Sequence, residues 1–402
     1  MLRFDWRKIE LRRLIGTGVT PLLAVLLATS CGGDGSSGTP VGTTADPQAD
    51  AAAAQIASFG ADSSLAVGAA RAQGTRADAN RIRQVVVFGD SLSDVGTYKV
   101  GAIADVGGGK FTTNPGPIWA ETIGLLLQAR VTPFRRGFGG ASQVLGGTGF
   151  AMGGARVSQQ PGIGCNPAPT TGECTAALTI PVTQQVTDYL AANGDTFSHD
   201  QLVFVLVGAN DIFFQLGVFQ AKAQAGVPIA QAQDEALAAI QQAAIELGGL
   251  VQRILGKGAT RVVVLNVPEI SETPFGNAPA TSPVRPLIAG MVQVFNGTLA
   301  VVLNGTGATL LDLRGEFQRV FANPGAFFVR EINVPACDVA KIATFTNSLE
   351  QGGSSLFCSR QTLVQNDAAL TFLFADSVHP TTLGHLIFAR FVLIETWKRG
   401  LL

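Results

Sequence analysis

Val85-Val86-Val87-Phe88-Gly89-Asp90-Ser91-Leu92-Ser93-Asp94 sets four apolar residues in a row, three of them β-branched, ahead of a glycine and a serine. A short run of this kind reads as a strand buried on both faces, the habit of a parallel sheet. The strand predicted over Gln84 to Phe88 stops at Gly89, and Ser91 falls on the first turn after it. In an open α/β sheet, chemistry collects in the crevice beyond the carboxyl ends of the strands. Ser91 is therefore placed as a nucleophile would be. A serine alcohol is inert at neutral pH unless a base, a group that orients the base, and donors for an oxyanion surround it.

Working outward, Leu202 to Val207 and Arg261 to Val267 are two further apolar strands, and Ala308 to Leu313 is a shorter one. Helical spacing runs through Pro117 to Gln128 and Pro228 to Leu255, Val284 to Asn304 also reads as helical, and Thr382 is the expected cap of a last helix over Leu383 to Trp397. Strands alternating with helices predict a doubly wound parallel sheet, with one domain over residues 83–402. Asn323 to Ser359 reads as irregular. Residues 31–82 are rich in Gly, Ser, Thr, Ala, Asp and Gln and read as a flexible linker, since so few large apolar side chains cannot offset chain entropy. Within it, Ala51 to Ala70 has weak helical character, anchored only by Ile56, Phe59, Leu65 and Val67.

The chain has 402 residues, 47% hydrophobic and 14% charged, with a net charge of -1. That balance suits a large core and implies no polyanion partner. The basic patches with interleaved aromatics of a nucleic-acid binder are absent. Residues 1–30 run basic, then apolar, then small, ending Leu27-Ala28-Thr29-Ser30 before Cys31, which is the order of an export signal. The small residues before Cys31 resemble a bacterial lipobox, in which that cysteine is lipidated. Ala28 stands where leucine is usual, and plain cleavage nearby is the alternative. Of the five cysteines, Cys165 and Cys174 bracket one loop and Cys337 and Cys358 another. Two local disulfides would leave Cys31 over, although four cysteines allow three pairings. Cys/His ligands at metal spacing are absent, and neither Gly107-Gly108-Gly109-Lys110 nor the glycines of 137–154 complete a nucleotide-binding fingerprint. No metal or cofactor is expected.

Three histidines can be weighed as the base. His199 precedes a buried strand and His385 sits inside the last helix, both ordinary structural settings. His379 lies in a loop three residues after Asp376, so the carboxylate can fold back onto one ring nitrogen while the other faces out. Donors are available from the Gly153-Gly154 backbone and from Asn210 at the end of its strand. Position 93 is Ser, so the Gly-x-Ser-x-Gly elbow is absent.

Phe88-Gly89-Asp90-Ser91-Leu92-Ser93-Asp94-Val95-Gly96, Gly153-Gly154-Ala155, Gly208-Ala209-Asn210-Asp211 and Asp376-Ser377-Val378-His379-Pro380 together resemble, in order and rough spacing, the GDSL or SGNH hydrolase family. The similarity spans about residues 84 to 398. It implies a flavodoxin-like three-layer α/β/α sandwich and hydrolysis of ester or lipid substrates. Carried over, Ser91 is the nucleophile, His379 the base and Asp376 its orienter. The oxyanion hole is formed by the Ser91 and Gly154 backbone N–H groups and the Asn210 side chain. Asp94 and His385 are structural. The family's glycine motif often begins with Asn, where Gly149 stands here, so the choice of Gly154 over Gly153 rests on alignment. A phospholipase or acyltransferase using the same site is an alternative, as is a non-catalytic binding lipoprotein. Ile212 to Phe219 and Phe321 to Val329 are candidate linings of an acyl pocket. The expected location is the bacterial envelope, tethered through Cys31, or outside the cell. Acyl length and oligomeric state stay open.

Overall fold

The structure is a computed structural model that describes residues 46–76, 80–168, 171–346 and 353–402. The export signal at 1–30 and Cys31 lie outside the described residues. In chain order the strands are β1 (Gln84–Gly89), β2 (Arg135–Phe138), β3 (Ala141–Val144), β4 (Gln201–Leu206), β5 (Val262–Leu265) and β6 (Thr309–Leu311). The longer helices are α1 (Pro47–Ala57), α2 (Ala61–Thr75), α3 (Trp119–Leu126), α4 (Val182–Ala192), α5 (Ala209–Gln224), α6 (Ile229–Gly256), α7 (Arg285–Leu303), α8 (Leu313–Ala322), α9 (Val339–Thr346) and α10 (Thr382–Lys398).

β1, β4, β5 and β6 form a parallel sheet in that order, with Val87 opposite Phe204 and Val205 opposite Val264. On the free edge of β1, the Val87 amide donates to Thr148 and the Phe150 amide to Val87, so residues 148–152 run alongside as an irregular further strand. β2 and β3 form a separate antiparallel hairpin.

Because side chains alternate along a strand, one sheet feeds two cores. Val85, Val87, Phe204, Leu206, Val263 and Leu265 face α3, α8 and α10. Val86, Phe88, Val203, Val205, Val262 and Val264 face α4, α5, α6 and α7. Helices on both faces of a parallel sheet are the α/β arrangement expected. The segment Ser282–Leu303 is long and apolar enough to cross a membrane. Here its Ile288, Met291, Val292, Phe295 and Leu299 are wholly buried in the second core.

Three expectations need correction. Residues 47–75, read as part of a flexible linker, form α1 and α2, which pack on α3 and α10. Ile56, Ala66 and Ala70 are fully buried there. Composition undervalued them because alanine adds little apolar area, yet its small side chain lets helices approach closely. Secondly, Thr381 caps α10, its hydroxyl accepting from the Gly384 amide at 3.1 Å. Thr382 instead donates to the Thr113 carbonyl at 3.1 Å. The stretch 323–359, read as irregular, also contains α9.

Candidate active site

β1 delivers its carboxyl end into a turn that is pinned from three sides. Gln185 of α4 takes both backbone groups of Gly89, accepting its N–H at 2.9 Å and donating to its C=O at 2.8 Å. The Asp90 carboxylate accepts from the Leu92 amide at 3.1 Å and starts a short helical turn over Ser91–Ser93. Asp94 accepts from the Gly96 and Thr97 amides at 2.9 and 2.7 Å, and from the Gly153 amide at 2.9 Å. It thus ties the serine turn to the glycine loop. Burial pushes the Asp94 carboxyl up to about 6 against those N–H donors.

His379 arrives on the loop before α10. Its Nε2 lies 2.8 Å from Ser91 Oγ, and its Nδ1 lies 2.9 and 2.8 Å from the two oxygens of Asp376. Asp376 also accepts from the Val378 amide at 2.9 Å, the His379 amide at 2.8 Å and the Ser355 amide at 2.8 Å. Burial works to raise this carboxyl, but the imidazole and the N–H donors outweigh it and hold it well below the usual carboxylate range. Phe111 lies against the imidazole with ring centroids 4.9 Å apart. With Asp376 ionised on the Nδ1 side, Nδ1 carries the proton and Nε2 is left to accept from the serine hydroxyl.

The two adjacent glycines differ in what their backbones bind. Gly153 donates to Asp94, and its carbonyl accepts from the Tyr98 hydroxyl at 2.7 Å. Both its backbone groups are spent. The Gly154 amide, buried, donates to no acceptor among the described residues, and the same holds for the Ser91 amide. Gly154 has φ +78°, and a Cβ there would stand 2.0 Å from the Ile163 carbonyl oxygen, so glycine is required. Asn210 sits in the first turn of α5, where Gly208 (φ +130°) lets the chain turn off β4 against Phe295. Its Nδ2 donates to the Ala155 carbonyl at 2.9 Å, which uses one of its two hydrogens. The positive end of a 16-residue helix lies beside it. Orphan buried amides and a half-used amide side chain can hold a developing negative charge.

His199 is exposed just before β4, at the opposite end of the strands from Ser91. His385 is wholly buried, with Nε2 3.4 Å from the Phe111 carbonyl and Nδ1 3.5 Å from the Trp119 amide. Burial brings it down to about 3, so it stays neutral. Of the two apolar segments, Ile212, Leu216 and Phe219 are core, whereas Phe213 and Phe214 are half-buried. Phe321 packs on Phe317 and Phe374 in the core on the other face of the sheet.

The cysteines form Cys165–Cys174 and Cys337–Cys358 bridges, with S–S distances of 2.09 and 1.97 Å. Sequence reasoning missed the Ser355 amide on Asp376, the Phe111 ring on His379 and the Gln185 clamp. Only the neighbouring Cys358 marked the Ser355 segment at all. Among the described residues no group of three or more His, Cys, Asp or Glu side chains is placed to hold a metal ion.

A sequence model of the GDSL-like lipase/acylhydrolase family matches residues 85–392. Among curated proteins, the anther-specific proline-rich protein APG of Brassica napus is 27% identical over 138 residues, 33% of this chain. The match spans 28% of that protein's length.

Proposed function

Because the chain belongs to the GDSL-like lipase/acylhydrolase family, we propose that it hydrolyses carboxylic esters with Ser91 as nucleophile, His379 as base and Asp376 as orienter. The reading is carried by one observation: the continuous contact from Asp376 through His379 to Ser91, every link between 2.8 and 2.9 Å. In the first step His379 Nε2 takes the hydroxyl proton as Oγ bonds to the ester carbon. The carbonyl electron pair moves onto oxygen, where the Ser91 and Gly154 amides and the free hydrogen of Asn210 Nδ2 receive it. Collapse breaks the bond to the alcohol, which leaves with the proton from His379. Water then repeats the sequence and frees the acid. Asp376 keeps its charge throughout and stabilises the imidazolium.

Phe213 and Phe214 stand three and four places after Asn210 on α5, so all three share one helix flank. Phe213, half-buried beside the donor, supplies apolar surface for a substrate with a hydrocarbon part, whereas the Arg156 guanidinium lies over the Phe214 ring. We read the chain as exported, on the basic–apolar–small order of residues 1–30 and the two disulfides, with Cys31 as the lipidated residue.

The test is hydrolysis of nitrophenyl esters of increasing acyl length, with fluorophosphonate labelling of the same samples. Ser91→Ala should abolish both turnover and label while the protein stays folded. Turnover persisting in Ser91→Ala, or none by the unaltered protein at any chain length, would overturn the reading.

A further inference from the structure

Arg156 and Asp211 form an ion pair, Nε to Oδ1 at 3.2 Å, with side chains only 8% and 3% exposed. Each follows closely on an oxyanion donor proposed above: Arg156 is two residues beyond Gly154, and Asp211 is next to Asn210. The pair does not stand alone. The other Asp211 oxygen accepts from the Val157 amide at 3.0 Å, and Asn210 Nδ2 donates to the Ala155 carbonyl at 2.9 Å. The Arg156 guanidinium lies over the Phe214 ring, 4.0 Å from its centroid. Three consecutive residues of the glycine loop, 155–157, are therefore joined to the first turn of α5 by three bonds and one stacked cation. Among the described residues these are the polar links between the two segments.

A buried ion pair is poor value as a source of stability, since desolvation cancels most of its attraction. What it does supply is geometry. The loop carrying Gly154 has no regular partner strand beyond residue 152; its Arg156 and Val157 carbonyls accept from the Val182 and Thr183 amides at 3.0 Å, which ties it to α4, while among the described residues the direct polar ties to α5 are the three bonds above. We propose that Arg156 and Asp211 are positioning residues that set the separation between the Gly154 amide and the Asn210 amide, holding the oxyanion hole formed before substrate arrives. The inference rests on the oxyanion-hole assignment of the preceding subsection. Neither side chain need touch substrate. Preformed donors matter most when charge develops, so misplacing them penalises the transition state more than the bound ester.

Asp211→Asn keeps the shape and one acceptor for the Val157 amide while removing the charge. Its kcat should fall by roughly 10- to 100-fold with KM held within about two-fold. Affinity for a trifluoromethyl ketone, which Ser91 converts to an oxyanion, should fall by the same factor. Arg156→Lys, which keeps a cation under Phe214, should recover most of the loss that Arg156→Met produces. In an Asn210→Ala background, Asp211→Asn should cost only a few-fold more, because one donor it aligns is gone. A merely structural brace predicts a different pattern: lower melting temperature, additive losses, and unchanged ketone affinity in the folded fraction. That pattern, or wild-type kcat in folded Asp211→Asn and Arg156→Met, would overturn the proposal. Ser91→Ala is measured alongside. Activity surviving there would remove the underlying site, whereas an inactive Ser91→Ala with unaffected pair variants would remove only this inference.

Discussion

Asp90 gives the sharpest test of the electrostatics next to the nucleophile. It is 1% exposed, one carboxylate oxygen accepts from the Leu92 amide, and the other has no hydrogen-bond partner among the described residues. Burial pushes its carboxyl from 3.8 up to about 7, with the Leu92 amide and His379 pulling down and Asp211 pushing up. The native state therefore holds this proton to higher pH than the unfolded chain does. Between pH 4 and pH 7 the native state binds more protons, so stability falls as pH rises through that window. The gap is about three pH units at about 1.4 kcal/mol each, an upper cost on the order of 4 kcal/mol once the group is ionised. For a chain of 402 residues that corresponds to about 5 °C in Tm. Asp90→Asn keeps the acceptor for Leu92 and cannot ionise. Its Tm should exceed that of the unaltered protein by only about 2 °C at pH 5, where the unfolded carboxyl is already ionised, and by up to about 5 °C at pH 9. Asp94, pushed up to about 6 by burial, titrates in both proteins and cancels in the difference, whereas Asp211, raised likewise, is coupled to Asp90 and that coupling is part of the difference. The measurement is a pair of thermal melts at each pH. A Tm difference that stays flat from pH 5 to pH 9 refutes the reasoning.

Three further outcomes follow from the geometry. Asn210→Ala should lower kcat by roughly 10²–10³-fold in steady-state ester hydrolysis, the usual effect of losing one oxyanion donor. Gly154→Ala should cost more than about 2 kcal/mol in denaturant unfolding and leave little activity, since φ is +78° and the new methyl would meet the Ile163 carbonyl at 2.0 Å. Replacing Cys337 and Cys358 together by serine removes a bridge across a separation of 21 residues, worth roughly 3 kcal/mol of stability. The same variant should lose kcat, because Cys358 closes the turn whose Ser355 amide holds Asp376.

The parallel sheet was legible because strands buried on both faces must be apolar throughout, as Val85 to Phe88 and Leu202 to Val207 are. The helix α6 was legible because its core-facing residues recur at helical spacing, whereas α10, buried almost all round, was marked by the threonines at its start. The alanine-rich α1 and α2 were not, because their stability comes from α3 and α10 rather than from their own side chains. Ser91, His379, Asp376 and Asn210 could be picked out by letter, since each contributes a side chain. The Ser355 amide could not, because a backbone N–H has no letter. Gly154 is intermediate: the sequence offered two adjacent glycines, and only the bonds made by Gly153 separate them.

That last distinction reflects how the site is built. Loops at the ends of strands cannot satisfy their own amides as helices do, and buried amides without acceptors are costly. Here short carboxylates take them up: Asp90 one, Asp94 three, Asp211 one and Asp376 three. The same bonds fix the loops relative to one another, so satisfying the backbone and placing the reacting groups are one operation. Against that pairing, the Ser91 and Gly154 amides stand out as donors without an acceptor among the described residues. On the function proposed above, an ester carbonyl becoming an oxyanion on Ser91 would give both amides an acceptor at the moment the reaction needs that charge stabilised.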